Sequence, residues 1–180
     1  MQVETERLII RDLQMEDWIG VHKYASNHLV TEHTIWGPNS EDETKAYIQW
    51  EITKQHAMDR RDYEFGVILK ETNELIGGCG IHIKEHNAEL GYCFNPEFWG
   101  YGYATEASKA MLLLGFENFK MHRVFAKCRP GNIPSANVLR RIGMKQEGHL
   151  RGHMWHKGKF HDSYLFSIME DEYYQGRGNG

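Results

Sequence analysis

The chain has 180 residues, of which 41% are hydrophobic and 26% are charged, and its formal net charge is −4. A chain of this length can bury its own core, and its slightly acidic balance argues against a dedicated nucleic-acid binder, which needs a basic surface. No apolar run approaches the roughly 20 residues that a membrane helix needs, and the N-terminus lacks the pattern of a signal peptide. The three cysteines are widely separated, so we expect a cytoplasmic protein without disulfides and with neither a membrane nor a nucleic-acid partner.

The N-terminal part is predicted to contain one strand followed by two helices. The short apolar run 8–10 predicts the strand, and the patterns over residues 15–26 and 40–58 predict the helices. Ser40 precedes the second helix and an acidic residue, Glu43, follows three positions later, which is the signature of a capping box.

The middle of the chain changes to a strand-like period. Residues 65–69, 75–83 and 89–94 are separated by turn-like segments at 71–74 and 85–87, which predicts a three-stranded meander.

The C-terminal part alternates between the two kinds of element. Residues 105–119 predict a helix with one apolar face, and residues 123–128 predict a strand. A short helix is expected over 132–143, with Asn132 as its cap and Gly143 just past its end. Two further strands are expected, over residues 145–155 and 160–169.

These elements predict one α/β (α+β) domain with a largely antiparallel sheet. The sequence contains no internal repeat and no composition shift typical of a linker. We therefore expect a single domain over residues 1–174 and a flexible tail over residues 175–180, where glycine is frequent.

The segment 95–107 carries the strongest functional signal. A strand leads into a turn containing Gly100 and Gly102, and a helix opens directly after it, so free N–H groups and the positive end of a helix dipole would meet at one point. Two glycines before a helix also fit an ordinary tight turn. No Gly-Lys-Ser/Thr follows, which excludes a Walker loop, and the glycine spacing argues against a dinucleotide fold. A loop that binds pyrophosphate without metal remains.

Four segments then resemble one family, in the order of that family. Residues 98–107 look like the acetyl-CoA pyrophosphate loop of the GNAT N-acetyltransferases, and they are most similar to the RimJ/RimL branch, which acetylates ribosomal-protein N-termini. Residues 4–11, 132–144 and 158–167 resemble the opening strand, the second cofactor segment and the closing strand of that branch. The resemblance implies a GNAT-like fold with a central, mostly antiparallel, splayed mixed sheet of about six to seven strands flanked by helices. It also implies acetyl-CoA as co-substrate.

The same resemblance implies the cofactor site. The strand before the loop would pair with the pantetheine arm, and the loop amides would hold the pyrophosphate. Trp99 stands where the family often has Gln or Arg. Arg140, Arg141 and Lys145 would lie near the 3′-phosphate, although they equally suit the C-terminal end of a helix. The predicted cofactor-binding residues are Tyr92, Cys93, Phe94, Trp99, Gly100, Tyr101, Gly102, Tyr103, Ala104, Thr105, Asn132, Asn137 and Arg140.

Two residues are predicted to be catalytic. Glu89 is the candidate general base, directly or through an ordered water, and its alternative is a surface carboxylate at a strand end. Ser135 would donate a hydrogen bond to the departing thiolate, because Leu139 stands where many relatives have a tyrosine acid. At pH 7 an α-amine costs about 1.4 kcal/mol to deprotonate and a lysine side chain about 4.6 kcal/mol, so the lack of an obvious strong base favours an α-amine acceptor.

The histidines and the remaining alternatives complete the prediction. His149, His153, His156 and His161 lack a ligand motif, so no metal is expected, and no G-x-S-x-G supports a hydrolase. We expect an N-acetyltransferase that acts on a primary amine, as a monomer or homodimer. The alternatives are a catalytically silent acyl-CoA-binding module and a small-molecule acetyltransferase acting on polyamines or antibiotics.

Overall fold

The structure, a computed structural model, describes residues 1–178. Its eight strands are β1 (Gln2–Glu4), β2 (Leu8–Asp12), β3 (Asp62–Leu69), β4 (Glu74–Lys84), β5 (Asn87–Phe94), β6 (Arg123–Cys128), β7 (Lys145–His156) and β8 (Lys159–Met169). Its α-helices are α1 (Trp18–Ala25), α2 (His28–Thr31), α3 (Glu41–Gln55), α4 (Tyr103–Leu113), α5 (Ile133–Arg141) and α6 (Glu170–Gly178). Short 3₁₀ turns precede α1 and follow β5, at Met15–Asp17 and Pro96–Phe98.

The eight strands form one sheet in the order β1-β2-β3-β4-β5-β6-β8-β7. Every neighbouring pair is antiparallel except β5 and β6, which are parallel. The sheet is therefore mixed and mostly antiparallel, as the resemblance implied.

The parallel contact between β5 and β6 is very short. It comprises three residue pairs and ends at Glu89 opposite Phe125, whereas β5 pairs with β4 over eight positions as far as Phe94. Beyond residue 89 the two strands separate, so residues 90–94 present main-chain groups without a strand partner on the β6 side. This wedge is the splayed part of the sheet, and it forms the site.

Helices cover both faces of the sheet. Helix α4 packs on one face, where Met111 joins the main core with Ala88, Leu90 and Phe94 of β5. Helices α1 and α3 pack on the other face around a smaller core that includes Ile48, and Cys93 of β5 lies against it. Side chains alternate along a strand, so even-numbered residues of β5 face α4 and odd-numbered ones face α1 and α3.

Local sequence signals explain where the helices begin. The Ser40 hydroxyl accepts from the N–H of Glu43, whose carboxylate accepts from the N–H of Ser40, so the predicted capping box is present at α3. The side chain of Asn132 accepts from the N–H of Ser135 and caps α5, as predicted. Helix α4 begins two residues earlier than predicted and continues past Leu113 as a π-helical turn, Leu114–Asn118.

The seven predicted strands are all present, and the eighth is β1, which the sequence did not reveal. Helix α6 was also not predicted: it runs through Gly178 and so includes residues 175–178 of the predicted tail. Residues 179 and 180 of that tail lie outside the described residues. None of the helices over residues 1–178 is both long enough and apolar enough to cross a membrane.

Candidate functional site

A cavity of about 810 Å³ occupies the wedge between β5 and β6. Glu89, Tyr101 and Arg140 do not line it. The other predicted site residues do: Tyr92, Cys93, Phe94, Trp99, Gly100, Gly102, Tyr103, Ala104, Thr105, Asn132, Ser135 and Asn137. Segments that are distant in sequence therefore meet around one space.

The glycine turn at the start of α4 forms one end of the cavity. Gly100 and Gly102 have φ values of +86° and +85°, in the left-handed region that favours glycine. In the described part of the chain, no hydrogen bond uses the main-chain N–H groups of residues 100–105. These free donors and the N-terminal end of the α4 dipole therefore form an anion-binding site.

An ion pair that the sequence did not indicate fixes this loop. The Arg7 guanidinium contacts the Glu106 carboxylate at 2.7 Å and donates to the carbonyl of Tyr101, while the Thr5 hydroxyl and the Arg7 N–H donate to the same carboxylate. Burial raises the pKa of Glu106, but hydrogen bonds from Thr5 and Arg7 outweigh it and hold that pKa below its ordinary value. The start of β2 thereby holds the loop through charge-assisted hydrogen bonds.

The free edge of β5 forms the floor. The Trp99 indole donates to the carbonyl of Phe94 at 2.8 Å, which stabilises the turn between the strand and the loop. Burial raises the pKa of the Cys93 thiol to about 12, so this cysteine is protonated and unreactive at neutral pH.

Two hydroxyl groups, one from β5 and one from α5, lie next to each other in the cavity wall. The Tyr92 hydroxyl donates to the Ser135 carbonyl at 3.0 Å and lies 2.9 Å from the Ser135 Oγ. Burial raises the pKa of Tyr92, so it stays protonated. Leu139 is buried, so no side-chain acid occupies the usual tyrosine position. Sequence reasoning missed the Tyr92–Ser135 contact because the two residues are 43 positions apart.

Glu89 lies at the point of the wedge, where pairing with β6 ends. Its carboxylate contacts the ammonium groups of Lys127 at 2.9 Å and Lys84 at 3.5 Å. It is therefore an ion-paired carboxylate next to the cavity rather than in its lining.

A second carboxylate lies on the same face of the sheet. Glu64 of β3 pairs with Gly80 of β4, which pairs with Gly91 of β5, so Glu64 extends over a glycine toward the exposed Gly91. The His82 ring bridges Glu64 at 3.0 Å and Asp62 at 2.9 Å. The hydrogen bond to Glu64 raises the pKa of His82 to about 9. No local sequence motif predicts this cluster of Asp62, Glu64 and His82, because it forms only when the strands pair.

The basic residues of α5 divide between two surroundings. Arg140 is exposed and donates to Asn137 and Gln146, outside the cavity lining. Arg141 lines the cavity and also a neighbouring surface pocket shared with Arg7 and Lys109. This pocket adjoins the glycine loop and is also lined by Glu6 and by Glu106, the partner of Arg7, so Lys109 and Arg141 supply its remaining positive charge. Arg141 rather than Arg140 lines it.

The opposite end of the cavity is roofed by residues 29–34. The roof is held by the β7–β8 hairpin: His156 contacts the carbonyl of Thr34 at 2.7 Å, and Lys157 donates to the carbonyl of Thr31. Gly131, in the loop after β6, lies against His33 of the roof. This end is built from side chains of several distant elements.

The histidines of the hairpin have protein partners. His149 contacts Asp162 at 2.6 Å, His153 contacts Ser163 at 3.1 Å, and the ring of His161 lies 3.9 Å from that of His156. Within residues 1–178, no group of three or more His, Cys, Asp or Glu side chains is arranged to hold a metal ion.

Comparison with known proteins identifies the family. The profile of the acetyltransferase (GNAT) domain matches residues 7–145. The chain is 34% identical to the uncharacterized N-acetyltransferase YnaD of Bacillus subtilis over 96% of its own length and 99% of that protein. It is 26% identical to the ribosomal protein uS5-alanine N-acetyltransferase of Escherichia coli, with 98% and 95% coverage.

A solved structure agrees with this match. The GNAT-family acetyltransferase from Bacillus anthracis superposes with a TM-score of 0.85 at 35% identity, covering 95% of this chain and 99% of that one. The wedge, the amide loop and these similarities lead to one conclusion: this chain is an N-acetyltransferase of the GNAT family.

Proposed function

We propose that the enzyme transfers the acetyl group of acetyl-CoA to a primary α-amine by direct attack in a ternary complex. The observation that carries the proposal is the free edge of β5, which runs from the point of the wedge to the unbonded amides of residues 100–105. The GNAT family uses acetyl-CoA, and this arrangement fits an extended ligand with a pyrophosphate at one end.

Each part of the donor has a fitting surface. The amides of residues 100–105 would bind the pyrophosphate, and Lys109 and Arg141 of the neighbouring pocket would bind the 3′-phosphate. Residues 92–94 would pair with the pantetheine through main-chain hydrogen bonds, as an added strand does. Acetyl-CoA would supply the acetyl group as an activated thioester.

The acceptor would approach from the face of Gly91 and Cys93. Its nitrogen would form a bond to the acetyl carbon as the bond to sulfur breaks, and its proton would pass to Glu89 through an ordered water. The Glu89 carboxylate is ion-paired with Lys127, and an α-amine needs little help from a base, since its deprotonation costs only about 1.4 kcal/mol at pH 7. The name of the uS5-alanine relative refers to an alanine of a ribosomal protein as its acceptor.

Ser135 would assist the departure of the thiolate. Its hydroxyl lines the cavity and lies 2.9 Å from that of Tyr92, so the two form a short chain of donors beside the floor. A main-chain N–H near residues 93 and 94 would donate to the thioester oxygen. Because a thiolate is a good leaving group, a hydrogen bond rather than a strong acid suffices.

The test separates catalysis from binding. Glu89→Gln and Ser135→Ala should each lower kcat about 10- to 100-fold while the Kd for acetyl-CoA changes less than threefold. Thiol release with a panel of N-terminal peptides, amino acids, polyamines and aminoglycosides measures the first quantity, and calorimetry measures the second.

Two results would contradict the proposal. Tight acetyl-CoA binding without turnover on any amine would identify a silent acyl-CoA-binding module. Turnover confined to polyamines or aminoglycosides would keep the chemistry but reject the α-amine acceptor.

A further inference from the structure

Arg129, in the loop that follows β6, is a buried cation at the roofed end of the cavity. It is 9% exposed and belongs to the cavity lining. Buried or half-buried arginines elsewhere contact carboxylates, as Arg11 does with Asp17 and Arg60 with Asp12. Among the ion pairs of residues 1–178, none includes Arg129.

The contacts that Arg129 does make are neutral. One terminal nitrogen donates to the carbonyl of Asp162 at 3.2 Å and to the Ser163 hydroxyl at 3.0 Å, and the other lies 3.9 Å from the Met154 sulfur. The Asp162 carboxylate is already used, because it accepts from the N–H of Gly152 and contacts His149. Within residues 1–178, no carboxylate therefore forms an ion pair with this guanidinium.

Leaving such a charge unbalanced is unfavourable. Burial lowers the pKa of Arg129, because removal from water disfavours the charged form. A guanidinium nevertheless stays protonated at any physiological pH. An ionised group out of water is normally paired, and replacing it by an apolar side chain is often neutral or stabilising. Arg129 is therefore poorly explained as a stabilising residue and well explained as part of a binding site.

The position of Arg129 separates it from the donor surfaces. The glycine loop follows β5, and the pocket of Lys109 and Arg141 adjoins it, whereas Arg129 follows β6 on the other side of the wedge. Lys127, the neighbouring cation in the lining, is neutralised by Glu89. Arg129 lines the same cavity as Gly91 and His33 of the roof, the part of the cavity that the acceptor would occupy. One terminal nitrogen of Arg129 contacts only the weak thioether acceptor of Met154, so the guanidinium retains N–H donors that a ligand can use.

We propose that Arg129 binds a carboxylate carried by the acceptor, so that the acceptor class is an amine with a carboxylate close to it, as in a free α-amino acid. This proposal rests on the acetyl transfer proposed above and names its substrate class. An acidic side chain near a peptide N-terminus would present the same chemistry, and the experiment separates the two sources.

The experiment compares matched acceptors. For the twenty amino acids, kcat/KM is measured for the free acid and for its amide, alongside dipeptide amides with an acidic or a neutral second residue. We expect the best free acid to exceed its amide by about 100-fold, because a buried charge left unpaired penalises the analogue. Arg129→Met should reduce that ratio to about one, and Arg129→Lys should restore part of it.

Controls separate binding from folding. Arg151→Met removes an exposed guanidinium from β7 and should leave the ratio unchanged. The melting temperature of Arg129→Met should equal or exceed that of the wild type, and its Kd for acetyl-CoA should stay within threefold. A structural role would instead lower the melting temperature and reduce activity on all acceptors equally.

The remaining outcomes overturn the proposal. They are a ratio near one in the wild type, a ratio that Arg129→Met leaves intact, or a loss of acetyl-CoA affinity in that variant. A preference confined to acidic dipeptides assigns the carboxylate to a peptide and rejects the free amino acid. If the wild type binds no acetyl-CoA, the proposed transfer fails; if it acetylates amides as well as acids, only the role of Arg129 fails.

Discussion

The two ends of the cavity are built in different ways. The main-chain surface of the proposed donor end is one continuous stretch, residues 92–105, in which strand, turn and helix start follow one another. The acceptor end combines the roof at residues 29–34, the exposed Gly91, the loop after β6 and the β7–β8 hairpin. The first is a local structure and the second is a product of the whole fold.

The difference matters for function because the two ends use different groups. The donor end presents main-chain amides and a helix dipole, which are the same whatever side chains surround them. The proposed acceptor end presents side chains, among them His33 and Arg129, whose identity would decide which acceptor fits. One family can therefore keep a donor and change its acceptor by substituting a few residues.

Substitution at the donor end should give the largest effect on cofactor affinity. Gly102→Val places a β-branched residue at a φ of +85°, where the start of α4 and its amides must then rearrange. We expect the Kd for acetyl-CoA to rise about 100-fold in calorimetry, while the acceptor KM at saturating acetyl-CoA changes less than threefold.

The matched control is Gly148→Ala in β7, where an added Cβ meets nothing within 4 Å and φ is ordinary. Equal losses of affinity in both variants, or a large change of acceptor KM in Gly102→Val, would break the separation of the two ends.

A smaller effect is expected from the support behind the donor loop. Arg7→Met and Glu106→Gln should each weaken acetyl-CoA binding about fivefold, and the double variant should bind no more weakly than either single variant. The reason is that both changes release the same contact, so a double-mutant cycle should give a coupling of about 1 kcal/mol. Lys45→Met, which removes an exposed pair with Glu41 outside the cavity lining, serves as the control. Strict additivity would show that the loop holds its shape without this pair.

The smallest effect concerns stability on the acceptor face. His82 has a pKa of about 9 in the folded protein against an ordinary value of 6.5, so its stabilisation is fully present below pH 6.5 and is lost as pH rises through 9. His82→Gln should lower the free energy of unfolding by roughly 1–2 kcal/mol at pH 6.5, and the difference should shrink by pH 10. Urea unfolding at both pH values measures it, with the exposed His86→Gln as control. A difference that is constant with pH would exclude the charged bridge between Glu64 and Asp62.

The sequence was informative where structure is local. The strands of the meander, both predicted caps and the glycine loop follow from patterns within about ten residues. Strand β1 has three residues and α2 has four, so both are too short to show a periodic hydrophobic pattern. Helix α6 contains glycines, which are typical of loops and not of helices. Arg7, Glu64 and Arg129 were missed because their partners lie between 18 and 99 positions away. The single-domain boundary, the cytoplasmic location and the oligomeric state stay predictions.

The early separation of β5 from β6 has a consequence for the aggregation of the protein when no ligand is bound. An unpaired strand edge is normally a template on which other molecules assemble into aggregates. Here the unpaired edge lies in the middle of the sheet, between β5 and β6, and not at either outer strand. The fold can therefore keep unpaired main-chain groups available for a ligand without placing them at an outer strand, where the sheets of other molecules could pair with them.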